Sequence, residues 1–205
     1  TLTVQSDTQA SATASQTAVV DTVAPTLAMA HFTRDDVINS SEKAVAQTIS
    51  GTSDANGSQV TVTLNGKTYT ALVANGTWSV DVPQSDMAAL GDGSYTITAT
   101  LSDAAGNATN ATQEFTVDAS SPLLAVDALG VPAVLNSVNA ASGVVLQGQG
   151  EPGNSVTIQL GPLSWTGTVD QQGNWSHTFP QLDLTTLTDG PQVVTISSTD
   201  AAGNT

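Results

Sequence analysis

The chain has 205 residues, and its three Lys and Arg side chains against 18 Asp and Glu give a formal net charge of −15. Three cations cannot form a basic patch, so binding to nucleic acid or to an anionic membrane surface is not expected. The absence of cysteine excludes disulfides and thiolate chemistry, and no apolar stretch is long enough to predict membrane insertion.

The sequence repeats itself with a spacing of 97 residues. Asp21-Thr-Val-Ala-Pro25 recurs as Asp118-Ala-Ser-Ser-Pro122, and Asp103-Ala-Ala-Gly-Asn107 recurs unchanged as Asp200-Ala-Ala-Gly-Asn204. Such self-similarity is typical of an array of like modules. It predicts the last strands of a preceding repeat at 1–20, a complete domain at 21–117, and at 118–205 a domain that stops before its last strand.

Short runs of Val, Ile, Thr and Leu, separated by Gly, Asn and Asp, predict strands in the complete repeat. The seven predicted strands lie at about 25–30, 45–50, 58–64, 67–73, 76–82, 94–101 and 111–117. Asn65-Gly66 and Asn75-Gly76 predict tight hairpin turns. Residues 83–90 predict one helical turn, with Ser85 or Asp86 as its N-cap. This pattern predicts an all-β fold of tandem, seven-stranded immunoglobulin-like β-sandwiches.

In each repeat a tryptophan is expected at the centre of the core. The predicted core residues are Trp78, Tyr95, Ile97 and Leu64 in the first repeat and Trp175 in the second. Tyr69 and Trp165 align on the fourth strand, where a partly buried ring is favoured over a platform for sugar stacking. The two histidines, His31 and His177, occupy non-equivalent positions and are expected to be isolated surface side chains.

The strand order predicts that acidic and amide side chains gather where repeats meet. The loops after the second, fourth and sixth strands lie with the linker at the N-terminal end of each sandwich. That end collects Asp21, Asp54, Asp103 and Asn107 in the first repeat, and Asp118, Glu151, Asp200 and Asn204 in the second. The C-terminal end of the first repeat faces the second repeat with Asp92, Asp35, Asp36 and Asn39.

Several carboxylates at one joint repel each other unless a cation lies among them. Calcium fits best, since it takes about six to eight oxygens in flexible geometry, whereas zinc prefers His or Cys. The alternative is that Asp and Asn simply close turns by bonding their own backbone. That alternative is favoured for Asp92 alone. For Asp103-Ala-Ala-Gly-Asn107 the local sequence favours neither calcium binding nor a simple turn. Because this loop is expected to meet a linker Asp at the joint, calcium binding is favoured.

Five motifs taken together resemble the bacterial Ig-like repeats of giant type I-secreted, non-fimbrial adhesins and biofilm-associated proteins, of the SiiE and BapA kind. They are the linker Asp-x-x-x-Pro, Asp35-Asp-Val-Ile-Asn39-Ser-Ser-Glu42, Asn75-Gly-Thr-Trp78, Leu90-Gly-Asp-Gly93 and Asp103-Ala-Ala-Gly-Asn107. The resemblance implies an extracellular protein on the bacterial cell surface, with many such domains arranged as a rod. It also implies calcium at each joint, held by Asp21, Asp103 and Asn107 in one copy and by Asp118, Asp200 and Asn204 in the next.

The leading functional hypothesis is therefore a structural stalk segment of an adhesin, stiffened by calcium and contacting neighbouring repeats of the same chain. Host glycans or receptors would be bound through other domains. The alternative is a module that itself binds a glycan or host protein, for which Trp165 and Tyr69 are the candidates. An enzyme is not expected, because the two histidines belong to different repeats and no catalytic constellation is evident.

A further hypothesis concerns the second repeat, which lacks the strand that 111–117 supplies to the first. The open sheet edge and a spare strand at 10–20 predict strand addition between molecules, head to tail.

Overall fold

The computed structural model describes residues 18–127, 136 and 138–205, so most of the predicted remnant at 1–20 lies outside the described residues. The described chain forms two β-sandwiches. For reference, residues 21–117 are called unit 1 and the described residues from 118 to 205 are called unit 2. No helix among the described residues has the length and apolar character needed to cross a bilayer.

Unit 1 contains eight strands and two short helices. They are β1 (Leu27–Met29), β2 (Val37–Ile38), α1 (Ser40–Lys43), β3 (Gln47–Ser53), β4 (Gln59–Leu64), β5 (Lys67–Leu72), β6 (Thr77–Val82), α2 (Gln84–Ala88), β7 (Gly93–Ser102) and β8 (Ala108–Val117). One sheet has the strand order β1-β3-β6 and the other has the order β2-β8-β7-β4-β5. All neighbours are antiparallel except β2 and β8, which run parallel.

The described part of unit 2 repeats this plan. Its elements are β9 (Leu124–Val126), a 3-10 helix (Asn139–Ser142), β10 (Val144–Gly150), β11 (Ser155–Leu160), β12 (Leu163–Thr168), β13 (Asn174–Phe179), α3 (Gln181–Leu184) and β14 (Val194–Thr199). Its sheets have the orders β13-β10-β9 and β12-β11-β14. Two facing sheets with these connections confirm the predicted immunoglobulin-like fold.

The two Asn-Gly turns form as predicted. Asn65 and Gly66 have φ values of 46° and 73°, and Asn75 and Gly76 have 53° and 78°. Both central residues of a two-residue hairpin turn of this kind need positive φ, and Asn and Gly adopt it at the lowest cost. These turns set the register of β4 against β5 and direct the chain into β6.

Three local predictions were wrong. Strand β2 was not predicted, and it is only two residues long because it follows Asp36, whose φ of 58° interrupts the extended backbone. The second predicted strand continues to Ser53, past Gly51. Helix α2 begins at Gln84 with Pro83 as its N-cap, so neither Ser85 nor Asp86 caps it.

Each unit buries its own core around one tryptophan. Trp78 and Trp175 are each 3% exposed, and they belong to separate clusters of buried side chains. The indole of Trp78 lies over Gly51, where an added Cβ would come within 2.6 Å of the ring. The equivalent Gly148 lies under Trp175, with a corresponding distance of 2.8 Å. The carbonyls of Ala28 and Ala125 would be closer still to these added Cβ atoms. Glycine is therefore needed within β3 and β10, despite its weak strand preference, because the ring and a neighbouring carbonyl occupy the side-chain position.

The other predicted core residues are buried, with one exception. Leu64 is 2% exposed and Ile97 is fully buried. Tyr95 is only half-buried: it stacks on Phe115, with ring centroids 5.6 Å apart, and its hydroxyl bonds the backbone of Gly91. Tyr95 therefore covers the edge of the core and anchors the turn that leads into β7.

Candidate functional site

The loop from Asp200 to Asn204, which follows β14, is closed by its own side chains. The Asn204 backbone N–H donates to Asp200 Oδ1 at 2.8 Å, and its side-chain Nδ2 donates to Asp200 Oδ2 at 2.9 Å. Gly203 has a φ of 91°, a value that glycine adopts most easily. The Asn204 Nδ2 also donates to the backbone carbonyl of Asp118 at 2.9 Å. The loop therefore holds the linker that joins the two units.

The identical loop of unit 1 has the same geometry. Asn107 donates from its backbone N–H and from Nδ2 to the Asp103 carboxylate, both at 2.9 Å. Its Nδ2 also donates to the Asp21 carbonyl at 3.3 Å. The hydrogen bond from the Asn107 side chain is the largest cause that lowers the pKa of Asp103 below its ordinary value of 3.8. In both units the linker Asp therefore lies against this loop, as predicted. The contact is made through the backbone carbonyl of that Asp.

Two hydrogen bonds join helix α1 of unit 1 to this loop of unit 2, in addition to the contacts that unit 1 makes with the linker. The backbone N–H of Ser40 donates to Asn204 Oδ1 at 2.8 Å, and Asn39 Nδ2 donates to the Ala202 carbonyl at 3.0 Å. Asn204 is consequently only 1% exposed. Its amide thus ties together the linker, its own loop and the neighbouring unit.

Helix α1 presents these two donors in a fixed position. Asn39 is its N-cap: Asn39 Oδ1 accepts from the N–H groups of Ser41 and Glu42, and Glu42 Oε2 accepts from the Asn39 N–H. This capping box fixes the entry into α1. The linker is held on the same side, because the Asp118 N–H donates to the Ile38 carbonyl at 3.0 Å.

Asp92 also binds the linker. Its carboxylate accepts from the Ala119 N–H at 3.0 Å and from the Ser120 hydroxyl at 2.5 Å. The hydrogen bond from Ser120 is the largest cause that lowers the pKa of Asp92 below its ordinary value of 3.8. The hydrogen bond from Ala119 and the positive charge of Lys43 lower it further. Asp92 therefore acts on the linker, although its local sequence alone favoured a simple turn.

Asp35 and Asp36 have their partners inside unit 1. Asp36 accepts from Gln113 Nε2 at 2.6 Å and lies 2.8 Å from His31 Nδ1. Its hydrogen bond with His31 is the largest cause that lowers the pKa of Asp36 below 3.8. Asp35 accepts from the Val37 N–H at 3.2 Å. Of the predicted loop ligands, Asn39 thus contacts unit 2, Asp36 holds the loop against β8, and Asp35 bonds within its own loop.

Asp54 and Glu151 occupy equivalent positions but make different contacts. Asp54 Oδ1 accepts from the Thr26 N–H at 2.9 Å, which pins the start of β1. Glu151 Oε2 accepts from Asn154 Nδ2 at 3.1 Å, within its own loop. The longer Glu side chain thus stabilises its own loop, whereas the shorter Asp side chain holds the segment that leads into β1.

The joint collects oxygen atoms, but its carboxylates do not converge. Among the described residues, no three His, Asp or Glu side chains lie close enough together to hold a metal ion. Asp118 is half-buried, and its carboxylate accepts no hydrogen bond from any described residue. The oxygens of Asp92, Asp118 and Asp200, with neighbouring carbonyls, are a donor set of the chemical type that calcium prefers.

His177 is not the isolated surface residue that the sequence predicted. Its ring stacks on Trp165, with centroids 4.6 Å apart, and meets Phe179 edge-on at 4.6 Å. Burial lowers the pKa of His177 below its ordinary value of 6.5, and the negative charge of Asp183 opposes part of that shift. Trp165 is therefore engaged in packing, as predicted, and its partner comes from β13, which belongs to the other sheet.

This packing predicts a pH dependence confined to unit 2. As the pH falls below 6.5, the unfolded chain takes up the His177 proton first, so the free energy of unfolding decreases until the folded form is also protonated. Denaturant midpoints measured by fluorescence from about pH 7 to about pH 5 should fall for unit 2. The variant His177→Gln should remove that dependence. The same slope in wild type and variant would contradict the assignment.

Sequence families and solved structures resemble this chain over nearly its whole length. The family described as bacterial Ig-like domain matches residues 1–119, and that described as bacterial Ig domain matches residues 132–205. A Ca²⁺-stabilised adhesin with which an Antarctic bacterium binds ice is 39% identical, with a TM-score of 0.52, over 90% of this chain and 47% of that one. A structure from a 1.5-MDa bacterial ice-binding adhesin is 35% identical, with a TM-score of 0.51, over 88% of this chain and 60% of that one.

A single immunoglobulin-like domain of the M. primoryensis ice-binding adhesin is also similar. It is 46% identical, with a TM-score of 0.35, over 45% of this chain and 96% of that one. The curated proteins contain no match. The chain spans less than two thirds of the two longer adhesin structures, at 47% and 60% of their lengths.

Proposed function

Because the chain belongs to the family of bacterial Ig-like domains, we propose that it is a stalk segment of a large bacterial surface adhesin, stiffened by calcium at its interdomain joints. The main support is the joint itself. There the Asn204 side chain donates to the linker carbonyl of Asp118 and accepts from the N–H of Ser40 in the preceding unit. A stalk needs defined angles between units, and side chains that fix the linker supply them. The similar adhesins support this role.

Calcium is the proposed ion because the joint offers oxygen donors and little compensating positive charge. The whole chain has three Lys and Arg against 18 Asp and Glu. We propose Asp118, Asp200, Asp92, Glu151 and the Asn204 amide as its candidate ligands, although the carboxylates do not converge in this structure. Unit 1 offers Asp21, Asp103, Asn107 and Asp54 for the joint that precedes it. Bound calcium would supply positive charge between these carboxylates and replace repulsion by attraction.

The proposed setting is the outside of the bacterial cell, where calcium is available to low-affinity sites. Extracellular calcium modules have dissociation constants of about 10⁻⁴–10⁻³ M. A structural role also agrees with how the aromatic side chains are used. Trp165 stacks on His177, and the Tyr69 hydroxyl donates to Asp86 at 2.7 Å. The two rings considered for glycan binding are thus both engaged within the fold, and we do not propose catalysis or direct ligand binding.

Small-angle X-ray scattering of the full chain, in millimolar calcium and in EDTA, tests the proposal. We expect calcium to sharpen the pair-distance distribution, because the joint becomes fixed, and EDTA to broaden it. The double variant Asp118→Asn/Asp200→Asn should scatter alike in both buffers. Asp81→Asn is the matched control, since Asp81 accepts from the Thr48 hydroxyl between β6 and β3 and should leave the calcium response intact. Identical wild-type profiles in calcium and EDTA would refute calcium stiffening.

A further inference from the structure

We propose that the N-terminal end of unit 1 is a docking socket for the unit that precedes it in the same chain. The socket consists of Asn107, Asp103 and the carbonyls of Asp21 and Ala105. Its partner is an Asn-Ser plug of the kind that Asn39 and Ser40 form at the C-terminal end of unit 1. The inference rests on the proposed stalk only in requiring a preceding unit, and it involves no metal ion.

The joint between the units shows an occupied socket. Asn204 Nδ2 donates to Asp118 O and to Asp200 Oδ2, each at 2.9 Å, which leaves its Oδ1 as the remaining acceptor. Ser40 N–H fills that acceptor at 2.8 Å. Asn39 Nδ2 fills the second acceptor, the Ala202 carbonyl, at 3.0 Å. The plug therefore delivers two donors in fixed positions to two acceptors.

The socket of unit 1 is built alike but is not filled by described residues. Asn107 Nδ2 donates to Asp103 Oδ2 at 2.9 Å and to Asp21 O at 3.3 Å, as Asn204 does at its equivalent positions. Gly106 has a φ of 94°, against 91° for Gly203. Within the described part of the chain, neither Asn107 Oδ1 nor the Ala105 carbonyl accepts a hydrogen bond. Asn107 remains half-buried, whereas Asn204 is 1% exposed.

The sequence repeats the plug with the same spacing as the socket. Asn39-Ser40 recurs as Asn136-Ser137, 97 residues later, just as Asn107 recurs as Asn204. A plug at one end and a socket at the other make a head-to-tail contact that propagates along an array. The Asp21 carbonyl belongs both to the socket and to the linker, so the covalently preceding unit is the one positioned to insert its plug. We therefore assign the socket to that neighbour and not to another molecule.

The test uses a three-unit chain, made by joining residues 1–117 to residues 21–205, so that an added plug precedes the intact socket. Ser40→Pro in the added unit removes the N–H donor. Proline is favoured at the first helical position, and the extended Asn39 backbone, with ψ of 179°, accepts a following proline. Scattering is measured in EDTA, which separates this contact from the proposed calcium effect.

We expect Ser40→Pro in the added unit, and Asn107→Ala in the unit after it, each to broaden the distance distribution of the three-unit chain. The exposed Asn110→Ala, which lies outside the socket, should leave the scattering of both chains unchanged. Near-ultraviolet circular dichroism confirms that each variant is folded. Unchanged scattering of both three-unit variants would overturn the proposal. Concentration-dependent mass of the original chain, abolished by Asn107→Ala, would overturn the assignment to the same chain.

Discussion

Truncation of Trp175 to alanine should lower the free energy of unfolding of unit 2 by about 3–5 kcal/mol, the usual cost of deleting a buried aromatic side chain. Trp175 is 3% exposed and packs over Gly148, so the cavity lies beneath the centre of β10 and cannot easily collapse. Unit 1 should keep its stability, because its core is a separate cluster. Trp78→Ala should have the mirror effect on unit 1.

Fluorescence distinguishes the two units in denaturant unfolding. The chain has three tryptophans: Trp78 in unit 1, and Trp165 and Trp175 in unit 2. In Trp175→Ala, Trp78 and Trp165 still report one unit each. Loss of stability in both units after a single truncation would show that the units fold as one body, contrary to the separate cores.

Replacement of each core tryptophan by phenylalanine tests the contribution of its indole N–H to stability. Trp175 Nε1 donates to the Gln149 carbonyl at 3.3 Å, whereas the buried Trp78 Nε1 has no hydrogen-bond partner among the described residues. An unsatisfied buried donor costs about 1–3 kcal/mol, so its removal offsets part of the packing lost in Trp78→Phe. We therefore expect Trp175→Phe to destabilise its unit more than Trp78→Phe does. Equal costs would mean that the Trp175 hydrogen bond contributes nothing.

Calcium should raise the thermal stability of the chain by mass action, if the proposed joint site forms only in the folded state. At a calcium concentration about 100 times the dissociation constant, the expected gain is about 2.7 kcal/mol. Melting curves recorded over a calcium titration, by circular dichroism, measure it. Asp200→Asn should reduce the gain by removing a carboxylate charge, while its loop keeps an acceptor oxygen for Asn204.

The matched control is Asp170→Asn, which alters a carboxylate in the turn before β13, where Asp170 accepts from the N–H groups of Gln172 and Asn174. Its melting temperature should rise with calcium as in the wild type. Equal loss of the calcium response in Asp170→Asn and Asp200→Asn would indicate only a diffuse effect of negative charge.

The sequence predicted those parts of the fold that local chemistry determines. Asn65-Gly66 and Asn75-Gly76 specify their turns through the backbone conformations that Asn and Gly tolerate, and alternation along β4 and β7 specifies a buried face. By contrast, the strand predicted at 45–50 stops before Gly51, whereas β3 continues to Ser53. A glycine is needed at position 51 because of two neighbouring strands, from which the Ala28 carbonyl and the Trp78 ring occupy the space of a side chain. The partner of His177 is likewise supplied by β12 and could not be inferred from neighbours in the sequence.

For the candidate site, the sequence predicted which residues meet but not which atoms bond. Repetition placed Asp118, Asp200 and Asn204 at one joint, and the structure brings the Asn204 amide to the Asp118 carbonyl and the Asp200 carboxylate. The contact of Asn204 with Ser40 spans 164 residues of sequence and joins a backbone N–H to a side chain. The residue type at position 40 does not encode such a pair, because any non-proline residue offers the same N–H.

The parallel pairing of β2 with β8 determines how unit 1 responds to tension. β8 leads directly to the exit at Asp118, and β2 is connected through β1 to the entry at Asp21. A pull on the two ends therefore drives these neighbouring strands past each other along their length. The hydrogen bonds from Thr116 N–H to Asp36 O, at 2.9 Å, and from Asp118 N–H to Ile38 O, at 3.0 Å, are then loaded together in shear. They must rupture at once and not one by one, so the shortest strand pair of the unit lies where an extended array would carry its mechanical load.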